Sequence, residues 1–173
     1  YYRNEATPFV FRAVNRLDRD TSGLVLLAKN PYSSCVLSDA VKDHAIHREY
    51  AAIVSGKTDA SGTIDLPIAR KDGSTIQRVC DPERGETAVT HYRTFAYNKD
   101  ADISFIRLLL ETGRTHQIRV HMKHIGHPLY GDFLYNPDYR FLQRQSLHSW
   151  KLSFSHPVSG IPMEFTAPVP ADM

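Results

Sequence analysis

Residues 15–29 read NRLDRDTSGLVLLAK, which places a densely charged loop directly before an apolar run. Two carboxylates, Asp18 and Asp20, lie among arginines, and Gly23 separates this loop from the apolar residues 24–28. A continuous apolar run of this length predicts a strand that is covered on both faces. Because a rigid element fixes the geometry of the polar groups beside it, we expect a functional site in this loop.

The two carboxylates of this loop have several possible roles. In an extended chain, side chains two residues apart point the same way, whereas in a turn they diverge. A catalytic carboxylate is often held ionised by an arginine that pairs with it through two hydrogen bonds. In the structural alternative, Asp18 and Asp20 cap the turn or pair with Arg16 and Arg19. The spacing leaves both interpretations open.

The composition is that of an ordinary globular protein of 173 residues, long enough for one domain with its own core. No apolar stretch approaches the roughly 20 residues that a membrane-spanning helix needs. The net charge of +2 is only mildly basic, so bulk charge neither requires nor excludes a nucleic-acid partner. Cys35 and Cys80 fit no zinc spacing and no disulfide framework, which favours inert thiols and a cytoplasmic location.

Strand-like runs predominate along the rest of the chain. A first helix is predicted from Pro31, because proline is tolerated in the first helical turn. Alternation and β-branched residues predict further strands near residues 49–54, 64–69, 76–80, 87–97, 102–111, 147–155 and 163–166. The turn residues at 98–100 predict a hairpin that joins the strands over residues 87–97 and 102–111. The pattern predicts an α+β fold with a mixed, mostly antiparallel β-sheet and a few flanking helices.

A second helix is predicted over residues 112–126, capped by Thr112 or Thr115 and ended by Gly126. Helical spacing gives it a buried face formed by Ile118, Met122 and Ile125.

The polar residues of this second helix allow two interpretations. Gln117, His121 and His124 share one face, and Arg119 and Lys123 share another. The first interpretation is a solvated basic helix that covers a sheet. In the second, Arg119 points inward at a carboxylate, while the preceding arginine and the histidines meet phosphate.

Four histidines recur at spacings of three and five residues, namely His116, His121, His124 and His127. Such spacings can gather imidazoles around a metal, but the chain has no HExxH pattern and no cysteine or acid at ligand spacing nearby. We therefore expect no metal, and histidines that form hydrogen bonds.

Tyr50 lies in the predicted strand over residues 49–54. A tyrosine in a strand is most often a core or interface residue. Its ring can also stack on a base and offer its hydroxyl to that base. The pattern leaves both roles open.

Four blocks of the sequence together resemble the RluA-type family of RNA pseudouridine synthases. The first is RLDRDTSG at residues 16–23, and the second is GRTHQIRVH at residues 113–121. The third is PLYGD at residues 128–132, and the fourth is LHSWKL at residues 147–152, followed by His156 and Pro157. The blocks occur in the family's order and cover most of the chain.

The resemblance implies the fold of a pseudouridine synthase catalytic domain and the conversion of uridine in RNA to its C-glycoside isomer, with no cofactor and no metal. It implies that Asp18, and not Asp20, is the catalytic aspartate and that Arg119 pairs with it. It also implies that Tyr50 lies against the target base. Either attack of Asp18 on C1′ or removal of a proton from C2′ fits this assignment.

The same resemblance implies a set of substrate-binding residues around a nucleotide that is flipped out of its stack. Ile118 and Leu152 would form apolar parts of the pocket, and Lys123 is a further candidate for phosphate contact. The remaining candidates are polar: Arg16, Arg19, Thr21, Arg114, His116 and Gln117.

Two departures from the family pattern stand near the start of the chain. Asn15 replaces the histidine that commonly precedes the Arg-Leu-Asp motif, and we expect it to affect loop packing or an RNA contact. The family also has an earlier stretch with a Lys-Pro turn, so residues 1–173 are expected to form a single catalytic domain that lacks its N-terminal portion.

The expected partner is ribosomal or transfer RNA, bound by a monomer with no membrane association and no obligate protein partner. Two alternatives stay open. One is a catalytically silent RNA-binding module on the same fold. The other is a glycosidase-type hydrolase that uses Asp18 and Asp20 as its paired carboxyls.

Overall fold

The computed structural model describes residues 10–173. Its elements confirm the predicted α+β class. The helices are α1 (Pro31–Lys42) and α2 (Gln117–His124). The strands are β1 (Ser22–Gly23), β2 (His47–Ser55), β3 (Ser61–Asp65), β4 (Ile68–Arg70), β5 (Arg78–Cys80), β6 (Val89–Asn98), β7 (Ile103–Leu110), β8 (Leu147–Ser155) and β9 (Pro162–Thr166).

Within residues 10–173, one seven-stranded sheet has the order β1-β8-β2-β7-β6-β3, with β9 paired to β8. Only β1 and β8 pair in parallel there, and the other pairs are antiparallel. Strands β4 and β5 form a separate antiparallel hairpin. The predicted hairpin between β6 and β7 is confirmed, and its turn is closed by Asn98, whose Oδ1 accepts from the N–H groups of Asp100 and Ala101.

Three apolar clusters make up the core of residues 10–173, and the smallest packs Val120 of α2 against the hairpin of β4 and β5. The other two differ in size. The larger one packs α2 against the centre of the sheet and includes Tyr50, Ile118 and Met122. The smaller one packs α1 against residues 24–28 and the second half of β8. The predicted buried face of the second helix is confirmed, because Ile118 and Met122 are buried and the partly buried Ile125 packs on the larger cluster.

The prediction of a fully buried strand over residues 24–28 is wrong. Regular pairing ends at Gly23, and the side chains of Val25 and Leu27 are 44% and 49% exposed. The reason is competition for one edge of β8. β1 pairs with His148 and Ser149, while β9 occupies that edge from Lys151 onward, so β1 cannot extend.

The prediction that the second helix begins at residue 112 is also wrong. The helix begins at Gln117, after His116, whose φ of 59° lies in the left-handed region. Thr112 does not cap it, because its hydroxyl donates to Oε1 of Gln117 at 2.8 Å. Residues 112–116 therefore form a loop above the sheet that carries polar side chains toward residues 15–23.

Candidate active site

The loop at residues 15–23 is held at several points. Oδ1 of Asn15 accepts from the N–H of Leu26 at 2.7 Å, and the hydroxyl of Thr21 accepts from the amide of Gln145 at 2.5 Å. Gly23 has a φ of +109°, and any Cβ there would overlap the backbone of the adjoining strand β8. A glycine is therefore required where the loop joins the sheet.

This loop is a turn, so its two carboxylates diverge. Oδ2 of Asp18 lies 3.1 Å from Nη1 of Arg119 on α2. Asp20, with a φ of 69°, instead pairs with the neighbouring Arg19 at the exposed surface. The structure thus separates two acids that the spacing did not distinguish.

Arg119 is held by a second carboxylate. Its Nε and Nη2 donate to the two carboxylate oxygens of Asp132 at 2.7 and 2.8 Å, and both side chains are buried. Asp132 is oriented in turn by the N–H groups of Leu134 and Tyr135, which donate to its Oδ1. This fork-on-fork pairing fixes the guanidinium plane and leaves Nη1 directed at Asp18.

Two aromatic rings complete the surroundings of this guanidinium. Its central carbon lies 5.4 Å from the ring centre of Phe133 and 5.0 Å from that of Tyr135. Burial alone lowers the pKa of Arg119, but the hydrogen bonds and charges of Asp132 and Asp18 outweigh it and raise the pKa above its usual range. The cation is therefore permanent.

The charges of this group do not cancel. One guanidinium faces two carboxylates, so Asp18 shares its positive partner with Asp132. Asp18 is oriented by a hydrogen bond yet keeps a surplus of negative charge, which suits a nucleophile or a general base.

The side chain of Asp18 lines a cleft. The empty volume of this cleft is about 550 Å³, including the solvent-open space at its mouth. Tyr50 is buried there, and burial raises the pKa of its phenol, so the hydroxyl stays protonated at neutral pH. The predicted residues that line the cleft are Arg16, Asp18, Thr21, Tyr50, Arg114, His116, Gln117, Ile118 and Arg119.

Leu152 does not reach this cleft, contrary to the prediction. It packs in the smaller apolar cluster with Leu37 and Phe154. Leu147 on the same strand does line the cleft. A strand rises about 3.3 Å per residue, so five positions carry Leu152 roughly 16 Å beyond Leu147.

Arg19 and Lys123 also lie outside the residues that line the cleft. The guanidinium of Arg19 stacks 4.1 Å above the ring centre of Phe133, and the ammonium of Lys123 lies 5.6 Å from that of Tyr135. Both cations therefore cover the outside of the loop that carries Asp132.

Gln117 lines the cleft, but its amide is fully used by the protein. Its Oε1 accepts from the N–H of Arg114 and the hydroxyl of Thr112, and its Nε2 donates to Val89 and Thr90. Gln117 thus ties the loop at residues 112–116 to β6, so its contribution is to position neighbouring groups.

His116 lies beside Asp18, with Nε2 3.9 Å from Oδ2 of that carboxylate. Its Nδ1 lies 2.9 Å from the hydroxyl of Tyr135, which also accepts from the N–H of Arg78. Because the Tyr135 oxygen already accepts from Arg78, we assign its O–H as the donor to Nδ1 and the ring proton of His116 to Nε2. Burial lowers the pKa of His116 and favours this neutral form.

The structure adds residues that the sequence analysis did not single out. Arg48 lines the cleft two positions before Tyr50 on β2, and strand alternation could have revealed it. Asp132 falls within the PLYGD block, yet its pairing with Arg119 requires the folded loop. Leu110 and Leu147 supply the apolar wall that had been expected in part from Leu152.

The histidines do not assemble a metal site. Within residues 10–173, no group of three histidine, cysteine or acidic side chains has a geometry that could hold a metal. Both ring nitrogens of the buried His121 are already engaged, by Thr90 and by the carbonyl of Leu66. The same part of the chain contains no helix long and apolar enough to cross a bilayer.

Comparison with known proteins identifies the family. Residues 1–124 match the family model described as RNA pseudouridylate synthase. The chain is 45% identical over 174 residues to a Bacillus subtilis (strain 168) protein named uncharacterized RNA pseudouridine synthase YjbO, covering 100% of this chain and 60% of that protein. It is 42% identical to ribosomal large subunit pseudouridine synthase D of Escherichia coli (strain K12), covering 92% of this chain and 52% of that protein.

A solved structure is similar as well. Human RNA pseudouridylate synthase domain containing 1 superposes with a TM-score of 0.79 at 26% identity, covering 92% of this chain and 69% of that one. The chain spans between 52% and 60% of the length of the two bacterial relatives. It belongs to the RNA pseudouridylate synthase family.

Proposed function

We propose that this chain isomerises uridine to pseudouridine in RNA, with Asp18 as the catalytic carboxylate. The observation that carries this proposal is the hydrogen bond from Arg119, itself clamped by Asp132, to Asp18 at the floor of a cleft that also holds Tyr50. Family membership supplies the reaction class, and the geometry supports the assignment of roles.

The reaction is balanced without any redox step. The bond from C1′ to N1 of uracil breaks, the ring turns, and a bond from C1′ to C5 forms. C5 then loses its proton, and N1, which carried none in uridine, gains one. Asp18 acts either by attacking C1′ or by taking the C2′ proton, and both routes require the carboxylate to be ionised and oriented.

The cleft suits a detached uracil ring. Ile118, Leu110 and Leu147 form apolar walls that retain the base while it turns. The protonated hydroxyl of Tyr50 can donate a hydrogen bond to the ring and take part in its proton transfer. A target inside folded RNA must first be flipped out of its stack, and the arginines at the cleft, Arg16, Arg48 and Arg114, are the candidates for its phosphates.

The printed name of the Escherichia coli relative refers to the ribosomal large subunit. We take large-subunit ribosomal RNA as the first substrate to test and transfer RNA as the second. An RluA-type assignment, a cytoplasmic location and a monomer without an obligate protein partner belong to the same proposal.

Tritium release tests this function directly. Ribosomal and transfer RNA transcribed with uridine tritiated at C5 are incubated with the purified chain, and we expect tritium in the water, since C5 exchanges its proton for the bond to C1′. Mapping of pseudouridine in total RNA, from cells with and without the protein, then identifies the site. An absence of release from every RNA, together with an unchanged map, would refute the proposal.

A further inference from the structure

A second groove adjoins the cleft. Its empty volume is about 770 Å³, open solvent included, and it shares Gly113, Arg114 and Thr115 with the cleft. Its other wall is the hairpin of β4 and β5, which stands apart from the main sheet. The groove is strongly basic: four arginines, Arg70, Arg78, Arg84 and Arg114, face a single acid, Glu86.

Two of these arginines have acidic partners. Arg84 pairs with Asp72 and Asp81, and Arg114 forms a solvent-exposed pair with Glu86. The other two have none within the described part of the chain. Among residues 10–173, Arg70 has no recorded polar partner, and the guanidinium of Arg78 donates only to backbone carbonyls, those of Ile76 and Gln77.

The two uncompensated arginines also face each other. Arg70 and Arg78 are directly opposite in the register of the hairpin. Directly opposed residues project to the same face with Cβ atoms about 5 Å apart, and like charges in such a pair are destabilising. A hairpin that carries this cost without an acid beside it is well suited to an anion supplied from outside.

We propose that Arg70 and Arg78 clamp a phosphate of the RNA strand as it leaves the cleft. Two guanidinium groups on one face can bind one phosphate through charge-assisted, bidentate hydrogen bonds. The position fits a strand path past the cleft, since the groove and the cleft lie on either side of the shared residues Gly113–Thr115. Beyond Arg78 it meets a further pocket that is lined by Lys71 and Lys123.

This clamp is linked to the active site by a short chain of contacts. The backbone N–H of Arg78 donates to the hydroxyl of Tyr135, which contacts His116 beside Asp18. The inference rests on RNA being the substrate. It goes beyond the proposed function by assigning a strand-binding role to a hairpin that does not contact Asp18.

Binding of a fluorescent 20-nucleotide oligouridylate, measured across a salt series, tests the clamp without requiring isomerisation. Arg70→Ser should weaken binding roughly tenfold, about the worth of one charge-assisted hydrogen bond. It should also make the slope of log affinity against log salt shallower by about 0.7, the value for one phosphate of a single strand. Arg70→Lys should keep that slope, because it keeps the charge.

The matched control is Lys99→Ser, which removes one exposed positive charge at the far end of β6, in the turn to β7. An equal loss of affinity and slope in this control, or an unchanged slope in Arg70→Ser, would overturn the clamp. The clamp would also be overturned if Arg70→Ser lost binding to polyglutamate but retained binding to RNA. If the wild-type chain released no tritium, that result would count against the proposed function, whatever the binding slopes show.

Discussion

Nη1 of Arg119 lies 3.1 Å from Oδ2 of Asp18, although 101 positions separate the two residues in the chain. The contact joins a surface loop to a helix that is buried against the sheet. The side chain of Arg119 is only 1% exposed and that of Asp18 is 16% exposed. The cation is therefore fixed within the protein interior, while the carboxylate keeps access to the cleft. This asymmetry suits the proposed roles, in which Arg119 orients the carboxylate and Asp18 reacts.

Asp132 should matter nearly as much as Arg119, because it fixes the plane of the guanidinium. In Asp132→Asn we expect kcat to fall about a hundredfold, the cost of a misplacement of about 1 Å. Breaking a buried ion pair should also cost about 3–5 kcal/mol in the free energy of unfolding. Steady-state kinetics and denaturant unfolding measure the two effects.

Asp138→Asn serves as the control for this variant, since Asp138 pairs with the exposed Arg140 nearby. A surface pair of this kind is worth about 1 kcal/mol or less. If Asp138→Asn and Asp132→Asn lowered kcat equally, the clamp would have no special role.

Removal of the Tyr135 hydroxyl should release His116 from its fixed tautomer. In Tyr135→Phe the ring still stacks on Arg119, but the O–H that points at Nδ1 is lost. We expect kcat to fall roughly five- to tenfold, matching about 1 kcal/mol for one hydrogen bond, with little change in KM. Nitrogen-15 NMR of the histidine rings should show the proton on Nε2 in the wild type and a mixture in the variant.

Tyr130→Phe provides a matched comparison, because the hydroxyl of Tyr130 accepts from Arg140 outside the cleft. Its kcat and its histidine spectrum should equal those of the wild type. Identical histidine spectra in Tyr135→Phe and the wild type would contradict the assigned tautomer.

Leu147 and Leu152 lie on one strand but should differ in function. Truncation of either buried leucine to alanine should cost about 2–5 kcal/mol in unfolding free energy. Only Leu147→Ala should also raise KM, because Leu147 lines the cleft and Leu152 packs against α1. A higher KM in Leu152→Ala, with KM unchanged in Leu147→Ala, would contradict the assignment of Leu147 to the cleft wall.

His121 makes the stability of the fold depend on pH. Burial lowers its pKa below the usual 6.5, as burial also does for His116. In this range the folded state binds fewer protons than the unfolded state, so the free energy of unfolding decreases as the pH falls below about 6.5. We expect a lower Tm at pH about 5.5 than at about 7.5.

The variant His121→Gln isolates this effect. It should have a lower Tm at neutral pH, because two buried hydrogen bonds are altered, but a weaker dependence of Tm on pH. If the Tm of His121→Gln depended on pH as steeply as that of the wild type, other titrating groups would be responsible for the pH dependence.

The sequence was informative where local chemistry decides the structure. The hairpin turn at residues 98–100, the proline at the start of α1 and the apolar face of α2 all depend on short-range patterns, and each is found as predicted. The class of fold followed from these elements.

The errors arose where distant parts of the chain compete or cooperate. Residues 24–28 could not extend as a strand because β9 holds the edge of β8. The start of α2 was displaced because Thr112 and Gln117 bond to each other and to β6, which no local rule predicts. Asp132 as the partner of Arg119 likewise depends on the path of the loop that follows Gly131.

The most direct test of the account compares tritium release by Asp18→Asn and Asp20→Asn on the same RNA. Each variant removes one negative charge from the same loop, but only Asp18 contacts Arg119. We predict that Asp18→Asn loses turnover by at least about a hundredfold, the lower range for a positioned acid–base group, while its Tm stays close to that of the wild type. Asp20→Asn should stay within about threefold of the wild-type rate, because its surface pair with Arg19 contributes little. Wild-type turnover in Asp18→Asn would contradict the central claim.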